Sequence, residues 1–590
     1  MSLTAAIRRE YVYLSAILRT LWLLREVTPN SSRTIVDIVE GHARRTPHAP
    51  VMYFQDEVMS YAQLDARANR YANWAIAHGI KPGDSVALMM ENRPDFLCCW
   101  LGLFKAGAVV ALINTNQRLQ PLAHSIEIAG ARHVVVGSEL AACVSEAESF
   151  FTAKPVVWVE GGNLDAELAA ASPLSPGNAP RAGITGRSRA FYIYTSGTTG
   201  LPKAANFSHN RMLFMMTGFV GALQPKSSDR IYDPLPLYHA TGGVCAVGMA
   251  LLTGGALVIR RKFSAGDFWG DIHKYDATLF VYIGELCRWL LNAPLGPHER
   301  DHHVRAITGN GLRPEIWKSF QDRFGIQKIV EFYGATESNV SMLNYDGTVG
   351  AVGRIPEYME WKFPTRIVRF DVEAEMPVRS PDGLCMECAP GEVGEAIGGI
   401  SQEAGRNFEG YTKASDTEKK VLHDVFRKGD SWFRTGDLMR RDVHGYFSFV
   451  DRIGDTYRWK GENVATSEVA EALSAVPGIK EANVYGVTVP GMDGRAGMAA
   501  LVVDAAFDAA TLAQRLEGRL THVARPLFLR LQPQIDVTGT FKQRKVEMVR
   551  EGFNPSTIPN PLFWLNPASG RYEPLTAQRY ADIVEDKVKI

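Results

Sequence analysis

The run Tyr194-Thr195-Ser196-Gly197-Thr198-Thr199-Gly200-Leu201-Pro202-Lys203-Ala204-Ala205 narrows the folds open to this chain more than any other stretch. An apolar strand, Ala190 to Ile193, leads into it, and the run then combines hydroxyls, glycines and one lysine in a loop. Glycines let the backbone approach phosphate oxygens, Ser and Thr hydroxyls donate hydrogen bonds or ligate magnesium, and Lys203 adds a positive charge. The pattern is not a Walker loop, because Leu201 and Pro202 separate the last glycine from the lysine and Ala204 follows it. A strand followed by a polyphosphate cradle points to an α/β protein that uses ATP.

A chain of 590 residues exceeds what one hydrophobic core serves, so at least two domains are expected. Lys+Arg and Asp+Glu both number 64, which leaves no net positive field and argues against nucleic acid as a partner. Seven cysteines, an odd number, without a signal-peptide pattern fit a reducing, cytoplasmic setting. Cys385-Met386-Glu387-Cys388 is the one CxxC, and lacking a second pair it makes an incomplete zinc or redox motif.

Tyr11 to Leu24 is apolar, short and interrupted by Arg19, which suits an amphipathic helix packed on the protein or lying at the cytoplasmic face of a membrane. Ala240 to Ile259 is uncharged, but its glycines and the Thr253-Gly254-Gly255 turn divide it into a helix-like part and a strand, so it reads as buried core.

From residue 33 apolar strands alternate with helix-like stretches, as in Ser85 to Met90, Gly107 to Ile113, His133 to Val136, Pro155 to Val159, Thr278 to Val281 and Lys328 to Glu331. This rhythm predicts doubly wound sheets. Between residues 345 and 450 short strands and Gly/Pro turns predict a β subdomain. The expected organisation is an amphipathic segment over 1–30, a large domain over 31–451, a hinge over 452–456 and a small mobile α+β domain over 457–590. Gly454 has the backbone freedom a hinge needs, and equally suits a plain tight turn.

With these residues in view, the chain resembles the adenylate-forming superfamily of acyl-CoA synthetases, luciferases and peptide-synthetase adenylation domains. The likeness rests on the phosphate loop, Leu235-Pro236-Leu237-Tyr238-His239, Gly309-Asn310-Gly311-Leu312, Phe332-Tyr333-Gly334-Ala335-Thr336-Glu337-Ser338 and Trp432-Phe433-Arg434-Thr435-Gly436-Asp437-Leu438. Asp451 to Thr466, Thr538-Gly539-Thr540-Phe541-Lys542 and the tail Glu551-Gly552-Phe553-Asn554-Pro555 are similar to the fatty-acid-transport-protein, or very-long-chain acyl-CoA synthetase, branch.

The resemblance implies a ligase that joins a long- or very-long-chain fatty acid to coenzyme A through an acyl-AMP, releasing AMP and pyrophosphate. It assigns the β and γ phosphates to Thr195, Ser196, Gly197, Thr198, Thr199, Gly200 and Lys203, with Thr195 and Glu337 on Mg2+. Tyr333 offers adenine a flat face and Gly309, Asn310 and Gly311 allow close backbone approach on its other side, Gly334 joins the nucleotide-binding set, the ribose falls to Asp437, and ribose or phosphate to Arg452. Lys542 bridges the carboxylate and α-phosphate during adenylation, with Lys545 as the competing candidate because Phe541 stands where most relatives have Gly. Gly461 clears the pantetheine path after the small domain rotates. Tyr238, His239, Gly242 and Gly243 wall an acyl tunnel that continues through Val244 to Leu252. His239 as a general base has less to do, since a carboxylate needs no deprotonation at neutral pH. Two alternatives stay open: a protein of fatty-acid uptake coupled to acyl-CoA formation, and a ligase for bile-acid-like carboxylates.

Overall fold

The computed structural model describes the whole chain apart from residues 1, 2, 196–200, 336, 373, 402–407, 461, 493, 536–542, 544 and 589. It divides into two compact units, one of residues 1–355 and 398–422, the other of 356–397 and 423–590.

The first unit holds two sheets wound on both faces by helices, as the alternating pattern predicts. One runs in the order Val156–Glu160, His133–Gly137, Ser85–Met89, Val109–Leu112, Arg189–Thr195, Lys203–Ser208. Its first five strands are parallel, and the last pairs antiparallel with Arg189–Thr195. Strands covered on both faces carry continuous apolar runs, and Val134, Val135 and Val136 are fully buried. In the other sheet Ile329–Gly334, Ala306–Asn310, Leu279–Ile283, Arg230–Asp233, Ala256–Ile259 and Pro50–Phe54 are parallel neighbours, flanked by antiparallel Ser341–Asn344 and Glu57–Ser60. These strands place the recurring motifs at their carboxyl ends, where open α/β sheets bind ligands.

The apolar segment after residue 240 is interior, as expected. A π-helical turn, Thr241–Ala246, leads into the helix Val247–Thr253, Gly254 closes it at φ +76°, and Ala256–Ile259 follows as a central strand. The N-terminal helix is longer than the sequence pattern indicates, running Leu3–Leu24. Its Tyr13, Ala16, Ile17 and Thr20 are buried, and a Cβ on Gly221 of the helix His209–Leu223 would lie 2.0 Å from Thr20 Oγ1.

In the second unit Thr365–Val368, Val393–Gly399, Ser431–Arg441 and Tyr446–Arg452 lie side by side. A five-stranded sheet follows, in the order Ile479–Val487, Ala496–Val503, Phe528–Leu531, Leu562–Asn566, Arg571–Pro574. Val469, Leu473, Met498, Leu501, Phe528 and Trp564 form part of its core. Asp451 and residues 452–456 lie within this unit.

Candidate functional site

Thr195 ends one strand and Lys203 begins its antiparallel partner, and the two residues sit directly opposite each other. The loop between them therefore leaves and re-enters the sheet at one cross-strand pair. Ser196, Gly197, Thr198, Thr199 and Gly200 lie outside the described residues.

A segment distant in sequence completes this end of the sheet. Ala205 bridges to Tyr411, the Thr412 N–H donates to Ala204 O at 3.0 Å, and the Asn206 N–H donates to Gly410 O at 3.0 Å. Gly410 makes this approach at φ +67°, and a Cβ there would lie 2.7 Å from Thr417 Cγ2. So held, the Tyr411 hydroxyl donates to Glu337 Oε1 at 2.8 Å and hydrogen-bonds Thr195. Burial, then the neighbouring carboxylate, pushes the phenol far up, so it remains a neutral donor. Lys203 Nζ lies 3.0 Å from Asp416 Oδ1 and 5.6 Å from the Tyr411 ring centre. Thr195, Lys203 and Glu337, named from the sequence, thus meet around Tyr411, which the sequence reading passed over.

Glu337 sits on a turn gripped from below. Arg211, half-buried on the helix His209–Leu223, donates to Ser338 O and, at 3.4 Å, to Ala335 O. The Ser208 N–H and hydroxyl, at that helix's N-terminus, both donate to the Glu409 carboxylate. A guanidinium that satisfies two carbonyls fixes the turn without claiming the Glu337 carboxylate.

Gly309 and Asn310 end the strand Ala306–Asn310, with Tyr333 and Gly334 at the end of Ile329–Gly334. A Cβ on Gly309 would stand 2.2 Å from Tyr282 O, and Gly311 turns the chain at φ +83°. The loop rests on Glu331, a fully buried carboxyl that accepts from the Leu312 N–H at 3.0 Å, the Gly311 N–H and the Tyr282 hydroxyl. Burial pushes Glu331 up to about 8. Asn310 Oδ1 is buried and, among the described residues, has no hydrogen-bond partner, which leaves an acceptor at this strand end with nothing to accept.

Tyr238 is buried, its phenol pushed up to about 12, and its ring centre lies 4.5 Å from that of His239. The glycines beside it serve close packing: a Cβ would lie 2.8 Å from Pro236 O at Gly242 and 1.9 Å from Leu237 O at Gly243. Their smallness is therefore already used by the turn carrying Tyr238. Val244 to Leu251 are buried against the core.

In the second unit Gly436 turns at φ +78° and Asp437 follows it, its N–H bonded to Thr435 Oγ1 at 3.0 Å. Asp437 pairs across the sheet with Arg452, Oδ1 lying 3.9 Å from Nε. Arg434 is spent on the buried Glu395 at 2.8 Å. Asp451 accepts from the Thr466 N–H at 2.6 Å, from its hydroxyl and from the Arg452 N–H. Lys545 Nζ donates to Thr466 Oγ1 at 2.8 Å and lies 3.2 Å from Asp455. Gly454, at φ +92°, has open space where a Cβ would point. Lys542 and Gly461 lie outside the described residues. Cys385 and Cys388 are free thiols pushed up by burial, Cys388 to about 12, which disfavours the thiolate a metal needs.

Comparison with known proteins identifies the family. Residues 39–397 match the AMP-binding enzyme family, and residues 468–542 match the AMP-binding enzyme C-terminal domain. Long-chain fatty acid transport protein 1 of Mus musculus is 43% identical, the alignment covering 98% of this chain and 91% of that protein. Long-chain fatty acid transport protein 2 of Rattus norvegicus is 41% identical over 95% of this chain and 92% of its own. Among solved structures, the anthranilate CoA ligase AuaEII in complex with anthranoyl-AMP superposes with a TM-score of 0.75 at 18% identity, covering 89% of this chain and 98% of that one. The Mycobacterium tuberculosis fatty acyl CoA synthetase does so at 0.62 and 23% identity, over 88% and 98%. The chain belongs to the AMP-binding enzyme family, and within it to the group of long-chain fatty acid transport proteins.

Proposed function

We propose that this protein uses ATP to activate long- or very-long-chain fatty acids as acyl-AMP and then transfers the acyl group to coenzyme A. The observation that carries the reading is the convergence of Thr195, Lys203 and Glu337 on Tyr411 at the ends of the phosphate loop.

Adenylation sets a carboxylate against an α-phosphate, two anions that must be positioned while charge builds on pyrophosphate. Lys203 supplies positive charge at the loop's exit. Asp416 holds that ammonium in place until phosphate oxygens compete for it. A hydroxyl and a carboxylate, Thr195 and Glu337, make the hard oxygen set that magnesium prefers. Where bound, Mg2+ neutralises the leaving pyrophosphate. On this reading Tyr411 spans the two ligands, fixing Glu337 by a hydrogen bond that leaves its second oxygen available. The orphaned Asn310 Oδ1 suits the amino group of adenine, with Tyr333, Gly334 and Gly309 around the ring. Asp437 takes the ribose hydroxyls, Arg452 the ribose or phosphate, and Lys542 bridges carboxylate and α-phosphate. Residues 452–456 act as the hinge of a mobile domain over 457–590, and Gly461 clears the way for the thiol of coenzyme A. The acyl chain passes Tyr238, His239 and the Gly242-Gly243 turn.

A second element of the reading is peripheral attachment to the cytoplasmic face of a membrane, which would link uptake to thioester formation. No described helix is long and apolar enough to cross a membrane. The helix Leu3–Leu24 instead exposes Ile7, Tyr11, Leu14, Leu18 and Trp22 along one side.

The test is pyrophosphate release over a panel of carboxylic acids with and without coenzyme A, with the nucleotide product identified. AMP formed with fatty acids, and acyl-CoA only when the thiol is present, is expected. ADP with orthophosphate refutes the reading, and turnover of a sterol acid alone moves the substrate to the bile-acid-like class.

A further inference from the structure

His273 lies in the last turn of the helix Phe268–Lys274, and His298 and Asp301 belong to the loop between the helix Gly284–Asn292 and the strand Ala306–Asn310. The two imidazoles stack with centroids 3.9 Å apart and planes 18° from parallel. Asp301 faces both, its Oδ2 lying 3.3 Å from His298 Nδ1 and 3.4 Å from His273 Nδ1. The Asp301 carbonyl lies 2.9 Å from His273 Nδ1, a contact that orients that ring. One potential ligand atom from each residue lies within 4.8 Å of the others. These three residues have no place in the adenylation chemistry above.

We propose that His273, His298 and Asp301 form a binding site for a divalent transition ion of the zinc class, which fastens the loop to the helix. Two imidazoles and one carboxylate are a borderline donor set. They favour Zn2+, Co2+, Ni2+ or Cu2+ over Mg2+, which requires oxygen ligands. In a tetrahedral Zn2+ site neighbouring ligand atoms stand roughly 3.3 Å apart, given metal–ligand bonds near 2 Å. Small rotations of these solvent-accessible side chains close the difference.

Two further observations favour a ligand over an incidental cluster. His298 has φ +66°, a left-handed conformation unusual for a non-glycine residue, and this turn brings its ring over His273. The neighbouring cations are committed elsewhere: Arg323 to Glu299, Arg300 to Asp322 O and Arg323 O, and Lys274 to Asp56. The ion pairs of the Asp301 carboxylate, among the described residues, are with these two histidines. Water would occupy the remaining positions, since the site opens to solvent. The expected role is structural: the stapled loop feeds directly into the strand that ends at Gly309 and Asn310.

The experiment uses the full chain, stripped with a chelator and then titrated with Zn2+ against a chromophoric competitor in excess Mg2+. Co2+ absorption serves as the geometric probe. One saturable equivalent is expected, with affinity weakened at least roughly tenfold in His298→Ala and in His273→Ala. Asp301→Asn should also weaken it. His303→Ala removes a nearby exposed histidine that pairs with Asp276 and stands outside the triad, and should leave binding unchanged. Thermal unfolding of the wild type should shift upward with Zn2+, and that of His298→Ala should not. Absence of saturable binding overturns the proposal. So does equal weakening in His303→Ala, or displacement of the ion by Mg2+.

Discussion

The Tyr411 hydroxyl donates to Glu337 Oε1 at 2.8 Å across a separation of 74 residues, and the tyrosine oxygen is also hydrogen-bonded to Thr195. Strand pairing to Ala205 fixes the tyrosine, so its hydroxyl cannot follow a carboxylate that swings away. If Glu337 and Thr195 are the magnesium ligands, this phenol sets the geometry of both.

Tyr411→Phe keeps the ring that lies beside Lys203 and deletes the hydroxyl alone. A hydrogen bond to a charged group is worth about 1.5–3 kcal/mol, which corresponds to a fall of roughly 10- to 100-fold in kcat/KM for pyrophosphate release. Thermal stability should change little, since the ring remains packed. Raising the magnesium concentration should recover part of the loss. A rate within about twofold of wild type at every magnesium concentration removes Tyr411 from the mechanism.

Glu331 makes stability depend on pH with a defined sign. Burial raises this carboxyl from 4.5 to about 8, so between those values the folded protein holds a proton that the unfolded chain has released. Stability then falls as pH rises through this window, by up to about 1.4 kcal/mol per pH unit, and levels off above it. Asp233, buried and pushed up to about 8, acts in the same direction. Glu331→Gln imitates the protonated form, still accepts from Leu312, and should flatten the slope between about pH 6 and about pH 8 without large loss at the acid end. Glu331→Ala leaves the Tyr282 hydroxyl and Leu312 N–H without their acceptor and should cost about 2–5 kcal/mol. Denaturant midpoints across this range check both, and an unchanged slope in Glu331→Gln contradicts the assignment.

What could be read from the sequence follows from the range of the interactions. Strands with dense apolar runs are legible because burial on both faces writes itself into consecutive residues. Ala190 to Ile193 is an example, extended in the structure to Arg189–Thr195. The strands Leu562–Asn566 and Arg571–Pro574 went unread because they are short, bounded by Asn and Pro, and bury only alternate residues such as Leu562, Trp564 and Tyr572. The helix Ala509–Arg515 stops before the Gly518 turn at φ +73°, although apolar residues continue to Leu520. In the candidate site, the motif residues were legible as local strings, whereas Tyr411, Arg211 and Glu331 act on partners remote in sequence. Glu331 did leave a signal, a carboxylate inside the apolar run Ile329 to Phe332. Tyr411 followed a glycine, which alone marks only a turn.

The exposed side of the Leu3–Leu24 helix should determine affinity for lipid. Its opposite side is already spent: Arg19 donates to Gly221 O at 2.8 Å and Arg354 pairs with Glu10. Ile7, Tyr11, Leu18 and Trp22 are each more than half exposed, at 60%, 72%, 65% and 62%. Burying such side chains in an interface is worth about 1.5–3 kcal/mol each, so replacing all four by Ser should reduce flotation with anionic liposomes more than about tenfold. Truncation after Asn30 should do the same. Pyrophosphate release from a soluble acid should persist in the Ser variant, because the buried face of the helix is untouched. Equal flotation of wild type and variant refutes the membrane reading.

Lys542 and Lys545 can be separated by half-reaction. Lys545 is engaged with Thr466 and Asp455, beside the Asp451 carboxylate that also accepts from Thr466. Its contacts are those of a brace between the expected hinge and the helix Thr466–Ser474. On the proposed mechanism Lys542 is the charge that bridges the carboxylate and the α-phosphate. Lys542→Ala should therefore reduce acyl-AMP formation by roughly 100-fold or more yet largely spare thioester formation from supplied acyl-AMP. Lys545→Met removes the brace but not the bridging charge, and should lower both half-reactions modestly while reducing the midpoint of thermal unfolding. Reversal of this pattern, with Lys545→Met silencing adenylation alone, would make Lys545 the bridging residue and assign the brace to Asp451 and Thr466.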